Sequence, residues 1–140
     1  MSTVLWANIL KDGVVEADDA DNYALFKFTG KLDKLCKKAK IKEFSSLLDD
    51  TDLKFNLSNE ELPEGMESTN EVMAKTGNWA EGQDALEILK VLKEVVSNRN
   101  IRFGIFSDHS KDILEELDET IKIAEKAAKQ GLKFNFSVVM

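Results

Sequence analysis

The chain of 140 residues holds one cysteine, one histidine and one proline. Cys36 has no second thiol to meet, so no internal disulfide forms. A lone thiol beside a lone imidazole, His109, also excludes a conventional Cys/His zinc site. Long hydrophobic runs are missing as well. VLWANIL, near the start, falls far short of the roughly 20 apolar residues of a membrane span, and MSTVLWANILKDG lacks the basic region that opens a signal peptide. The expectation is a cytoplasmic chain with no membrane association. Basic charge is scarce: 19 lysines and arginines face 26 acidic residues, a net charge of −7. A general nucleic-acid binder needs a positive surface to displace the phosphate counterions, so nucleic acid is not an expected partner.

Nucleotide and nucleophile motifs are also absent. GNWAEG spaces its glycines five apart, without the G-x-G of a dinucleotide loop, and no P-loop or G-x-S-x-G elbow occurs. The acidic stretches DDADNYA and DDTDLKF lack the glycine-centred alternation of a calcium loop. No cofactor and no metal are expected.

What is present fits one globular α+β domain: 43 % hydrophobic and 32 % charged residues, in a chain of the commonest domain size. VLWANIL, Asp12-Gly13 and VV read as a hairpin, because Asp-Gly supplies the positive φ of a two-residue turn. The strand is apolar on both faces, with Val4, Trp6 and Leu10 against Leu5, Ala7 and Ile9, so it should not be an edge. The acidic run ADDADN reads as the start of a helix, since Asp18, Asp19 and Asp21 would favour its free N–H groups. Phe28, Leu32, Leu35, Cys36 and Ala39 then recur at helical steps, with Gly30 inside, and a short helix KEFSSLL follows.

LKFNLS at 53–58 returns almost unchanged as LKFNFS at 132–137. The surroundings are not repeated, so no duplication is inferred. Both segments alternate, Leu53, Phe55 and Leu57 in one and Leu132, Phe134 and Phe136 in the other, and both read as half-buried strands. LPEG at 62–65 predicts a type I turn, Ser68 and Glu71 a capping box for a helix ending at Gly77, and TGNWAEGQ a loop. Long helices are expected over 83–97 and 110–130, the second stopped by Gly131 and supported by Asp118–Lys122 and Glu125–Lys129 pairs. IRFGIFS between them reads as a strand, which with the second helix and the C-terminal strand could make a parallel crossover. The sum is a mixed or antiparallel sheet of four or five strands with three to five helices.

Four places invite chemistry. His109 adjoins Asp108 and Ser110 at a strand–helix junction, although consecutive residues rarely face one another and the favoured reading is that Ser107, Asp108 or Ser110 caps the helix while His109 faces solvent. Lys27, Lys31, Lys34 and Lys38 fall at steps that share one helical face, a weak anion site or a solvated surface. Between Glu43 and Glu67 lie Asp49, Asp50, Asp52, Glu60, Glu61 and Glu64 against Lys54 alone, with Phe55, Met66 and Trp79 as apolar anchors. Cys36 lies in an apolar stripe, as an inert buried thiol would. The leading functional expectation is a non-enzymatic accessory or inhibitor-type protein whose acidic segment meets a basic protein partner. The competing expectation is a small enzyme or ligand-binding domain centred on Ser107 to Ser110. Homo-oligomerisation through an exposed C-terminal strand is the third.

Overall fold

The structure, a computed structural model, describes residues 2–140. Asp12 and Gly13 both take positive φ, 52° and 75°, and fold β1 (Val4–Lys11) back into the antiparallel β2 (Val14–Asn22). ADDADN therefore belongs to a nine-residue strand rather than to a helix start. Pairing with β1 overrides the dipole argument, and the register slips opposite Trp6, where the indole Nε1–H donates to Asp21 Oδ1 at 2.8 Å. Asn22 ends the strand by donating Nδ2–H to the Leu5 carbonyl at 2.9 Å.

The first helix is two helices. α1 (Tyr23–Lys27) and α2 (Thr29–Lys38) meet at Phe28, whose φ/ψ of −106°/22° breaks the regular path, so Gly30 sits in a first turn rather than mid-helix. KEFSSLL gives a 3-10 turn over Phe44–Leu47 and then the two-residue β3 (Leu48–Asp49). The first LKFNLS is helical, within α3 (Thr51–Ser58), contrary to its alternation. Its flanks decide this. Asp50 O accepts from Lys54 N–H at 2.9 Å, Asp52 stands in the first turn, and Asn59 stops the helix in the left-handed region at φ 54°.

Pro63 to Met66 form the turn, one residue later than expected. Gly65 at φ 84° in the third position makes it type II rather than type I. α4 (Thr69–Thr76) starts at the expected cap: Ser68 Oγ accepts from Glu71 N–H at 3.4 Å, while the Glu71 carboxylate reaches back one residue beyond the box's usual partner, to Glu67 N–H at 2.8 Å. The loop TGNWAEGQ contains β4 (Ala80–Glu81) and leads into α5 (Gly82–Arg99). IRFGIFS forms no strand. Gly104, at φ 108°, turns the chain there, and the segment curls until His109 N–H reaches the Phe103 carbonyl at 2.7 Å. No parallel crossover arises. α6 (Ser110–Lys129) and β5 (Lys133–Val139) complete the chain, with Gly131 at φ 65° between them.

The strand order is β2-β1-β5-β3, with β4 also on β5. β3 runs parallel to β5 and the other pairs are antiparallel, so the sheet is mixed. β5 is central, which overturns the expectation that the C-terminal strand offers an edge for self-association. Six α-helices pack with the five strands, one beyond the expected range: Phe28 splits the first and α3 takes the place of an expected strand, while KEFSSLL gives only a 3-10 turn.

One face of the sheet is apolar. Leu5, Ala7 and Ile9 of β1 and Phe134, Phe136 and Val138 of β5 join Leu25, Leu32, Leu89, Leu92, Ile113 and Leu117 in a single buried cluster. Each of these side chains larger than alanine contributes about 1.5–3 kcal/mol on leaving water. Lys93 and Asp118 bridge α5 and α6 at 2.6 Å, so Asp118 serves this contact rather than pairing with Lys122, which binds Glu119 instead. Glu125–Lys129 is not among the ion pairs of the described residues.

The other face is polar. Asn8 and Asn135 oppose one another across β1 and β5, and Asn8 Nδ2 donates to Asn135 Oδ1 at 3.0 Å and to Ser137 Oγ at 3.1 Å. Asn135 in turn donates to the Asn78 carbonyl at 2.9 Å. α3 lies against β5 and α4 against β2 on this side, so the polar network ties the α3–α4 layer to the sheet.

Candidate functional site

The acidic segment builds this second layer. Asp49, paired in register with Ser137, is buried; its carboxylate accepts N–H bonds from Thr51 at 3.0 Å and Asn78 at 2.7 Å. It is a structural fastener below the surface. Asp52 accepts from Thr69 Oγ–H at 2.7 Å and so braces α3 against α4, while Asp50 pairs with Lys54 at 3.3 Å on the outside. Glu60, Glu61 and Glu64 stand exposed on the connection between the two helices. Trp79 is half-buried, with its indole N–H given to the Met73 carbonyl at the end of α4.

Between α3 and α4 lies a cleft of about 680 Å³. Phe55, Leu57 and Val72 supply its apolar walls, and Asp50, Glu60 and the Asp50-paired Lys54 its charged lining. α3 buries no residue completely, and Leu57 is 66 % exposed, so the helix spends little of its apolar surface on the fold. β2, the sheet edge that α4 touches, is acidic too, but its carboxylates are divided. Glu16 and Asp18 pair with Ile9 and Ala7 of the apolar face and border a recess with Lys122 and Lys126 of α6, while Asp21 accepts from the Trp6 indole. Segments 12–21 and 49–71 together hold 13 acidic residues and one basic residue, Lys54.

The His109 junction is arranged differently from its sequence neighbours' order. Asp108 turns away from the imidazole: Oδ1 accepts from Phe103 N–H at 3.0 Å and Ser110 N–H at 2.9 Å, and Oδ2 from Ser110 Oγ–H at 3.0 Å. The Phe103 amide, before the other donors, holds the Asp108 carboxyl below its usual range. Asp108 and Ser110 thus close the loop and start α6. The partners of His109 are Ser107, whose Oγ lies 3.1 Å from Nε2, and Asp112, whose Oδ2 lies 3.2 Å from Nδ1. Asp112 was visible as an i,i+3 neighbour on a helix, but Ser107 comes within reach only because the loop curls at Gly104. The imidazole rests against Phe28, ring centres 5.7 Å apart, and Phe28 packs edge-on against the buried Phe103.

The lysine face is broken up. Lys27 belongs to α1 and lies over the Tyr23 and Phe28 rings, and Lys31 donates to the Arg102 carbonyl and sits 5.1 Å from the Phe103 ring. Lys34 and Lys38 remain exposed on α2. Cys36 is fully buried, and burial, above its smaller charge contributions, pushes the thiol up to about 11.

No group of three or more His, Cys, Asp or Glu side chains among the described residues is placed to hold a metal ion. No helix among them is long and apolar enough to cross a membrane. Comparison with models of protein families, with curated proteins and with solved structures finds no match to this chain.

Proposed function

We propose that the protein is a binding module whose acidic α3–α4 layer receives a basic protein partner. The observation that carries the reading is the α3–α4 cleft, a recess walled by Phe55, Leu57 and Val72 within a segment, 49–71, that holds eight acidic residues against Lys54. A surround with a net negative charge raises the rate of encounter with a basic protein, while an apolar recess lets a buried anchor slow its departure. Leu57 and Phe55 are the anchors on this side, and the exposed Glu60, Glu61 and Glu64 do the steering, with Asp50 paired to Lys54. Asp49, Asp52 and Trp79 support the cleft by holding its two helices and the following loop.

The test is capture from native cell extract on immobilised protein, comparing wild type with Leu57→Asp, a Glu60→Lys/Glu64→Lys double variant and a Lys34→Glu control. Proteins held at low salt should be released at high salt. Their recovery should fall about tenfold or more with either cleft variant and should be unchanged with Lys34→Glu. An empty eluate at low salt, or equal recovery by wild type and the cleft variants, overturns the proposal.

A further inference from the structure

Beyond the docking face, and independent of it, the geometry points to a hydrolytic site at Ser107, His109 and Asp112 that accepts small carboxylic esters. The three side chains stand in a hydrogen-bonded line. Ser107 Oγ meets His109 Nε2 at 3.1 Å, and His109 Nδ1 meets Asp112 Oδ2 at 3.2 Å. Asp112 can only accept, so it fixes the tautomer with the proton on Nδ1, which leaves the Nε2 lone pair for the serine hydroxyl. That is the arrangement in which a weak nucleophile has its base in contact and the base has its orienting carboxylate.

The line opens on a recess of about 340 Å³ whose lining includes Phe28, Ile105 and Phe106 beside Ser107 and His109. Phe106 is fully exposed and Ile105 nearly so, 100 % and 88 %. Two such side chains held out in water cost hydration free energy, and an acyl group laid between them and Phe28 would recover it. The loop that presents them is tied down from behind: Arg102 donates Nε–H to the Gly104 carbonyl at 3.0 Å, and Asp108 holds Phe103 and Ser110. The amides of Ile105, Phe106 and Ser107 donate to no protein acceptor among the described residues, and Lys27 lines the same recess. Free N–H groups and a cation are the donors that a developing oxyanion requires.

The step balances without an outside oxidant or reductant. Ser107 Oγ bonds to the ester carbonyl carbon while its proton passes to His109 Nε2. The tetrahedral oxyanion collapses, the ester C–O bond breaks, and the leaving alkoxide takes the proton from Nε2. Water then attacks the acyl-serine, His109 again receives the proton, and the carboxylic acid leaves as that proton returns to Ser107. Ester and water become acid and alcohol.

The test exposes the full-length protein to a fluorophosphonate probe and to p-nitrophenyl butyrate. The expected result is one adduct, found by peptide mass spectrometry on Ser107, absent in Ser107→Ala and retained in Ser110→Ala. Ester turnover should vanish with Ser107→Ala and fall about a hundredfold with His109→Gln. Asp112→Asn should lower turnover without changing the circular dichroism spectrum, as a residue acting on the tautomer would. An adduct that forms equally fast in His109→Gln, turnover that survives Ser107→Ala, or no adduct on Ser107 overturns the inference. None of these outcomes depends on the α3–α4 cleft.

Discussion

Glu116 joins parts of the chain that sequence separation hides, and its removal gives the sharpest test of the packing described above. α1 has no side-chain cap of its own, and Asn22 turns its Nδ2–H to the Leu5 and Ala20 carbonyls. The Ala24 and Leu25 N–H groups donate instead to Glu116 Oε2 and Oε1, at 3.2 and 2.9 Å, from the middle of α6. Ala24 and Leu25 are both buried, so Glu116→Ala leaves two amides without an acceptor. Each costs about 1–3 kcal/mol when stranded. Against this stands the relief of a half-buried charge. Burial is the larger influence on Glu116 and holds its carboxyl above the usual range, while the two amides pull it down. The balance is a net loss of about 2 kcal/mol for Ala and about 1 kcal/mol for Gln, which keeps an acceptor oxygen.

Urea unfolding followed by tryptophan fluorescence, from Trp6 and Trp79, measures both. With a slope of about 2 kcal/mol per molar urea, the Ala variant should unfold about 1 M earlier. The pH dependence has a definite sign. A carboxyl whose folded pKa exceeds its unfolded pKa contributes most to stability below the unfolded value. That contribution fades as pH rises through the interval up to the folded value. The stability gap between wild type and Glu116→Gln should therefore shrink as pH rises from the ordinary carboxylate range. A gap that widens with pH, or an Ala variant within about 0.5 kcal/mol of wild type, refutes the reasoning.

Two further outcomes follow from the same geometry. Leu57→Phe makes the two hexapeptides identical, yet residues 53–58 should stay helical by backbone chemical shifts. Stability should change by no more than about 0.5 kcal/mol, because Leu57 is 66 % exposed; strand-type shifts there would show that the hexapeptide itself, and not its flanks, dictates the conformation. Cys36, at about 11, is thiolate in only a few parts in ten thousand near pH 7.4. Ellman's reagent should leave it unmodified until urea unfolds the chain, and prompt reaction of the native protein would contradict its burial.

Local chemistry was legible where one short-range rule governed a segment. The Asp12-Gly13 hairpin, the cap at Ser68, the stop at Gly131 and the two long helices each depend on residues within one turn, and they stand as read. The misreadings share a cause. ADDADN, LKFNLS and IRFGIFS are short, and their own residues favour two conformations almost equally. A partner strand, a pair of flanking caps and a curl around Asp108 then tipped each one. The candidate sites divide in the same way. The acidic block was visible as composition, but the cleft between α3 and α4, the buried role of Asp49 and the acidic β2 edge were not.

The sequence by itself determined the α+β class, the apolar stripes of the helices, the lack of any internal disulfide and the excess of negative charge. These follow from residue type and short-range spacing. Only the tertiary structure decided that LKFNLS is a helix and LKFNFS the central strand. Only it set Ser107 and Asp112 on either side of His109, and Glu116 over the start of α1. Each of those contacts depends on where a distant or curled segment comes to rest. That position is set by burying the shared core, not by the few residues that make the contact.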